Sequence, residues 1–468
     1  MNSTNPLRYL LLYVPFLLAW ATLQQYHASY LIAWLGSFFI FYLSYSGLIK
    51  KLPSDLKIIE QLMRPIFLMQ VIFAGYMCCT SIFYYLNAVG YQYFDYIGNS
   101  VRFRDDIYGS IAKCQMYYVL AHGALVHGIL AKMNYPIEKK YTVYTNSMSN
   151  LLLGISVICL PLGYLLGKVG ALNQFSVQLT GLSFVAGTIA LAFAIKEQKK
   201  TNFWFAGALF VSNLMNALIS GFKEPIIICV LLLGVFLLPI YGKKIIPVFS
   251  ILLVMLFFIL PTFIGNFRNL AGQGIALSDV RDQSIDAVFN SDQQSLQDDN
   301  WTFLIYRFSE IDMFITYANS TPSFVPYYKT QLVEDAIVSI IPRFFWPEKP
   351  VVEDMVMQRV YNSGVIMRGA NVSAKPAYVV DSYLSYGMIG IFIGLFLYGY
   401  VAQWISMKAE GLFGGYFMGT AVMFAGLYQI FWRGNSFEFL VNSIFWSFIT
   451  MYIFHLVLKS RSVLERVD

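Results

Sequence analysis

Residues 225–265 read PIIICVLLLGVFLLPIY (225–241), GKK (242–244) and IIPVFSILLVMLFFILPTFIG (245–265), with Lys243 and Lys244 as the only charges. Crossing the ~30 Å hydrocarbon layer of a bilayer takes about 20 consecutive apolar residues in a helix. A helix satisfies its own backbone hydrogen bonds in lipid, which an irregular chain does not. The stretch therefore predicts two antiparallel spans that turn at the lysine pair. Pro225 suits the first helical position, where a missing N–H costs nothing.

Working outward with the same test predicts twelve spans. They lie near 9–26, 30–49, 65–88, 108–131, 147–168, 176–195, 202–220, 225–241, 245–265, 379–404, 413–432 and 438–458. The composition agrees: of 468 residues, 57% are hydrophobic, 17% aromatic and 12% charged. A soluble domain carries about twice that share of charge, so this chain lacks the polar surface to coat a soluble body of its size. A soluble enzyme and a disordered or fibrous protein are thereby excluded. The net charge of +6 makes no case for nucleic acid. The expected fold class is an all-α polytopic membrane protein. Cys78, Cys79, Cys114, Cys159 and Cys229 sit in or beside apolar runs without a CxxC spacing, and neither a disulfide nor a metal site is expected from them. His122 and His127 are five apart and do not share a helical face, so no metal pair is expected there either. The run from Tyr9 to Gln25 lacks a small-residue cleavage site and reads as a retained helix.

Lys and Arg in short loops set orientation. One alternate set of loops, including both termini, holds 17 of them and the other holds six, leaving aside one long loop. Both termini are expected in the cytoplasm and the long loop outside. Three regions follow: a membrane bundle of about nine spans over 1–265, a long periplasmic loop over 266–378, and a membrane bundle of about three spans over 379–468. Within the loop, 271–300 is polar and acidic, in the manner of a mobile segment. Residues 301–317 turn amphipathic at helical spacing, and further short helices are expected at 331–341 and 351–361.

Four groups of residues could carry chemistry. The first is a set of outward cations: Arg268, Arg307, Arg343, Lys349, Arg359, Arg368 and Lys375 in the loop, with Lys223 and Arg433 at span ends. Guanidinium groups bind phosphate oxygens bidentately, so the set suits a diphosphate; pairing with the loop's acids is the plainer use. The second is Tyr306-Arg307-Phe308-Ser309-Glu310, where i,i+3 spacing on a helix puts Arg307 and Glu310 on one face. Glu310 is either a general base in a partly dry site or half of an ion pair. The third is Pro342-Arg343-Phe344-Phe345-Trp346-Pro347-Glu348-Lys349-Pro350, whose prolines stiffen a loop. Its aromatics suit a membrane interface or the face of a sugar. The fourth is Asp381, Tyr383, Tyr386 and Gly387 at the mouth of the tenth span, where an ionisable residue invites a functional reading.

These segments resemble the O-antigen polymerase type of oligosaccharide repeat unit polymerase. Residues 342–350 resemble that family's proline and tryptophan-proline segment in its large outer loop. In matching order, Ser220-Gly221-Phe222-Lys223-Glu224-Pro225 resembles its Gly-(Ser/Thr)-Arg turn, and Arg307 to Glu310 its Arg-then-Glu segment. Trp432-Arg433-Gly434 resembles its Arg-Gly pair. The resemblance covers about residues 200–458, and the first two hundred residues match as a hydropathy profile. Lys223 stands where the family often has Arg. The related O-antigen ligases use an outer-loop histidine, and residues 266–378 contain none.

The resemblance implies a C-type glycosyltransferase-like enzyme of the bacterial inner membrane. It would polymerise undecaprenyl-diphosphate-linked oligosaccharide repeat units on the outer face, in O-antigen, capsule or exopolysaccharide synthesis. The resemblance leaves the proton acceptor open; the residues themselves offer Glu310 first and Asp381 second, with Arg307 beside the diphosphate. Diphosphate and glycan would meet Lys223, Arg268, Arg343, Trp346, Lys349, Tyr383 and Arg433. No metal and no cofactor is expected. Besides the lipid bilayer, the resemblance brings a chain-length regulator and a flippase as candidate partners. A ligase-like transfer or a lipid-linked oligosaccharide flippase are the alternatives. A transporter would place more charge within its spans and keep its loops short.

Overall fold

The computed structural model describes residues 6–90, 107–219, 223–271, 277–290, 292–306, 308, 310–343, 345–369, 374–433 and 435–467. About 78% of the chain is helical. In chain order the helices are α1 (Val14–Ala21, after a 3-10 turn at Pro6–Tyr13), α2 (Tyr26–Tyr45), α3 (Pro65–Gln70), α4 (Ser81–Ala88), α5 (Ile107–Lys132), α6 (Met148–Gly167), α7 (Asn173–Lys196), α8 (Lys200–Ile219), α9 (Lys223–Tyr241), α10 (Ile245–Ala271), α11 (Leu277–Asn290), α12 (Gln293–Tyr306), α13 (Ile311–Ser320), α14 (Gln331–Ile340), α15 (Val352–Asn362), α16 (Tyr378–Leu412), α17 (Ala425–Leu427), α18 (Ile430–Arg433) and α19 (Phe437–Ser460).

Each of the twelve apolar runs is largely helical among the described residues. Among the described residues, seven segments have the length and hydropathy to cross a membrane: Tyr26–Tyr45, Pro65–Ala88, Met148–Gly167, Asn173–Lys196, Ile226–Phe267, Tyr378–Leu412 and Phe437–Ser460. Ile226–Phe267 contains both α9 and α10, turning at Gly242–Lys244 as the lysine pair leads one to expect. Two stretches, Val71–Cys79 and Phe417–Phe424, are π-helical, a geometry uncommon outside functional or strained helices.

The core forms around α5, which packs against α2 and α16. Small residues let these helices approach closely. A Cβ on Gly128 of α5 would stand 2.0 Å from the Phe396 carbonyl oxygen of α16, and one on Gly399 of α16 would stand 2.3 Å from that of Leu125. One departure from an all-helical fold is a ribbon at one end of the bundle. There β1 (Tyr141–Val143) pairs antiparallel with β2 (Leu464–Arg466), Tyr141 opposite Arg466.

Two loop expectations need correction. Leu277–Asn290 and Gln293–Tyr306 are helical rather than mobile in character. Asp292 caps α12 by accepting from Ser295 N at 2.8 Å, a standard N-terminal device. Thr262 of α10 donates to Asp299 at 2.7 Å, and Val280 of α11 is buried against Phe263 and Phe267 of α10. The amphipathic run 301–317 is not one helix. Helix α12 ends at Tyr306, and Glu310 sits at the start of α13 with a left-handed φ of 56°. Glu310 therefore does not continue the face of α12, and the Arg307 half of the expected pair lies outside the described residues. The other short helices fall where expected, as α14 and α15.

Candidate functional site

At one end of the bundle α13, α14 and α15 settle onto α5, α16 and α19. The local fold begins with Gly387, whose φ of 61° and ψ of −138° break α16 after Tyr386. Only glycine adopts such a backbone without strain. The first two turns, Tyr378–Ser385, fold back along the helix that follows. Gly390 and Gly394 clear the space: a Cβ at Gly390 would lie 2.0 Å from Ser382 O. Tyr378 OH donates to Gly394 O at 3.3 Å. The last carbonyls of this short helix need donors, and Tyr328 N and Lys329 N reach Leu384 O and Ser385 O at 2.9 and 3.1 Å. Asp381 thus lies on a folded-back helix inside the protein rather than at an open span mouth.

Asp381 is buried, 1% exposed. Its Oδ2 accepts from Phe437 N at 2.8 Å, at the start of α19, and from Arg359 Nη2 of α15 at 3.3 Å. The same guanidinium grips Glu438 of α19 with both Nη atoms, Nη2 to Oε2 at 2.8 Å. Asp381 Oδ1, Arg359 Nε and Tyr317 OH are buried without a hydrogen-bond partner. Burial works against the Arg359 charge, but Asp381 and Glu438 more than offset it and hold the guanidinium cationic. Burial, and then the Asp381 charge, push the Tyr317 phenol well above its usual value. Asp335 of α14 is held above the usual carboxylate range by burial and then by Glu438. Three acids, Asp335, Asp381 and Glu438, lie about one arginine. Among the described residues no group of His, Cys, Asp or Glu has metal-binding geometry.

The proline-rich segment divides into an inner and an outer part. Lys349 is buried, and its Nζ donates to Ser339 O at 2.7 Å and Ile341 O at 2.8 Å. It caps the end of α14, a common task for lysine; burial lowers its pKa. Ser339 Oγ in turn donates to Glu438 O at 3.0 Å, tying the segment to the cluster. Arg343, Phe345 and Trp346 point outward, Phe345 76% and Trp346 39% exposed. Tyr383 is buried against Tyr117, Phe314 and Tyr327, and donates to Thr321 O at 2.8 Å. Glu310 is half-buried at the start of α13.

The structure thus brings Asp381, Lys349 and Tyr383 into one end of the molecule as interior groups, with Arg343 and Trp346 on its surface. Arg307 lies outside the described residues, as do the side chains of Lys223, Arg268 and Arg433. Sequence reasoning counted Arg359 only as one cation among several and missed Glu438 and Tyr317. A carboxylate in the first turn of an apolar span was the available signal for Glu438.

A second buried network lies at the other end of α16. Arg64 pairs with Asp55 at 2.7 and 2.6 Å and with Glu410 at 3.0 and 2.9 Å. Its guanidinium lies 3.9 Å from the centre of the Tyr135 ring, and Thr420 donates to Glu410 at 2.8 Å. Arg64 holds the Asp55 carboxyl below its usual range.

A family model described as a domain of unknown function, DUF8712, matches residues 14–466. No curated protein and no solved structure matches the chain.

Proposed function

The chain belongs to the DUF8712 family, a domain of unknown function, and we propose that it polymerises lipid-linked oligosaccharide repeat units at the outer face of a bacterial inner membrane. On this reading the twelve helical runs cross the membrane twelve times and both termini are cytoplasmic. The pairing of β1 with β2 supports this, because it puts the C-terminal tail and the loop before α6 at one end of the bundle.

One observation carries the reading. The polypeptide between α10 and α16 folds into helices of its own, and α14 and α15 close over a buried Arg359–Asp381–Glu438 cluster while exposing Arg343, Phe345 and Trp346 beside it. That is the arrangement a membrane-surface transferase needs: an outward aromatic and basic surface for glycan and diphosphate above fixed carboxylates. In the reaction, the acceptor hydroxyl oxygen bonds to the anomeric carbon as the bond from that carbon to the diphosphate oxygen breaks. The hydroxyl proton passes to a carboxylate, and the electron pair leaves with the lipid diphosphate. Charge grows on the diphosphate, so cations placed there act on the transition state preferentially. Asp381 and Glu310 are the proton acceptors proposed. Arg359 and Glu438 are positioning residues that fix Asp381 by one oxygen. A lipid-linked oligosaccharide transporter fits less well, because the buried charges of Asp381, Glu438 and Glu410 lie near the ends of their helices rather than midway along them.

The test is extension of purified lipid-linked repeats by the purified protein, with Glu310→Gln and Asp381→Asn alongside. Loss of one acid–base group costs about 10²–10⁴-fold, and that loss is expected for at least one variant. No extension by the parent protein would overturn the reading. Parental rates in both variants would retain polymerisation and remove both carboxylates from it.

A further inference from the structure

At the lysine-rich end of the bundle, away from the proposed transfer site, the structure holds a cavity of about 200 Å³. Its walls are mostly apolar: Ile59 from the turn Ile58–Glu60, Phe193 from α7, Phe236 and Ile240 from α9, and Phe417 at the start of a π-helical stretch, with the Glu60 carboxylate beside Ile59. Lys196, the last residue of α7, closes one side, and its Nζ lies 5.6 Å from the centre of the Phe193 ring. The surrounding charge is mainly basic. Lys196 and Lys200 are exposed at the join of α7 and α8, and Lys243 and Lys244 are exposed three and four residues beyond Ile240. Two acids lie in this region, and one of them, Glu60, is on the cavity wall. Glu60 accepts from Lys57 N at 3.2 Å, and Glu197 accepts from the hydroxyls of Ser147 and Ser149 at 2.6 Å each.

We propose that this groove is a binding site for one anionic phospholipid, with an acyl chain along Ile59, Phe193 and Phe236 and the headgroup phosphate on Lys196. Apolar walls under a cationic rim, at the end of a membrane-spanning helix, match a lipid in both halves: hydrocarbon is removed from water, and basic residues at a membrane surface attract anionic headgroups. A neutral lipid would leave the lysine rim without its complement. A second copy of the chain would present the same basic surface and be repelled.

The experiment uses the full-length protein in detergent, offered phosphatidylglycerol or phosphatidylcholine with matched acyl chains, with retained lipid read by native mass spectrometry. One phosphatidylglycerol is expected to be retained about tenfold more strongly than phosphatidylcholine, the equivalent of about 1.4 kcal/mol. K196E is expected to abolish that preference without changing the thermal unfolding midpoint in lipid-free detergent, since the side chain is exposed. Ile59→Trp, which narrows the groove from its rim, is expected to reduce retention of both lipids. Equal retention of the two lipids by the parent protein would overturn the proposal, as would an undiminished preference in K196E. The result is independent of glycan extension, so failure of one reading leaves the other standing.

Discussion

Arg359 and Glu438, 79 residues apart, meet side-on as a two-pronged pair with almost no exposed surface, 2% and 0%. The pair joins α15, outside the spans, to the first turn of α19. Removing one partner of a buried ion pair leaves an uncompensated charge and costs about 3–5 kcal/mol. Arg359→Met is expected to lose that much, because Asp381 and Glu438 would then face each other without a cation. Glu438→Gln is expected to lose less, because Arg359 keeps Asp381 as its partner. Thermal unfolding in detergent ranks the two variants, and the reverse order would contradict the charge count.

Arg343 and Trp346 offer a direct check on glycan handling. Arg343 is exposed and makes one long contact, to Pro347 O at 3.4 Å, so Arg343→Lys leaves the fold intact. Lysine lacks the planar fork that holds a diphosphate bidentately. Polymer formation is expected to fall strongly in Arg343→Lys and in Trp346→Ala at unchanged protein levels. Polymer at the parental level in both would exclude this surface from substrate binding.

The crossing of α5 and α16 predicts where small residues are obligatory. Gly128→Ala puts a methyl group 2.0 Å from a backbone oxygen, so the helices must part. Overpacking of this kind costs about 1–3 kcal/mol or more. Gly154→Ala in α6 and Gly207→Ala in α8 meet nothing within 4 Å and serve as controls. Folded yield in membranes is expected to drop for Gly128→Ala and to hold for both controls.

Asp312 predicts a pH dependence. Burial raises its pKa, and the hydrogen bond from Tyr84 OH at 2.9 Å only partly opposes this. A carboxyl raised on folding contributes stability that is complete below its unfolded pKa and is lost as pH rises through the folded value. Asp312→Asn keeps an acceptor for Tyr84 and carries no charge. The variant is expected to unfold at a higher temperature than the parent at neutral pH, with a flatter midpoint as pH rises above the ordinary carboxylate range. A variant that tracks the parent across that range would show that Asp312 is not the titrating group.

Orientation is checked with fusions. A phosphatase fused after Lys459 is expected to be inactive and a cytoplasmic fluorescent protein fused there to be bright, following the 17-to-6 lysine and arginine asymmetry. The opposite pattern would invert the molecule and place the Arg359 cluster inside the cell.

The helical runs are legible in sequence because each is a local property: twenty apolar residues must hydrogen-bond within themselves to sit in lipid. The short helices α14 and α15 are legible for a related reason, their apolar residues recurring at helical spacing between prolines. What escapes is long-range. Nothing near Arg359 announces that Glu438 and Asp381 will converge on it, because the meeting depends on α16 folding back at Gly387. Lys349 reads as an open cation until the end of α14 is seen to supply two carbonyls. Glu310 reads as helical because 301–317 has helical spacing, and one residue with positive φ undoes that periodicity.

Helix α16 is clasped near each extremity by an arginine from outside the spans, Arg359 on Asp381 and Arg64 on Glu410. Between the two clasps lies one interruption, at Tyr386 and Gly387. A rod fixed at both ends passes displacement from one face of a membrane to the other, whereas a jointed rod does so only past its joint. Because the joint sits five residues from the Asp381 clasp and more than twenty from the Glu410 clasp, nearly the whole rod belongs mechanically to the Arg64 end.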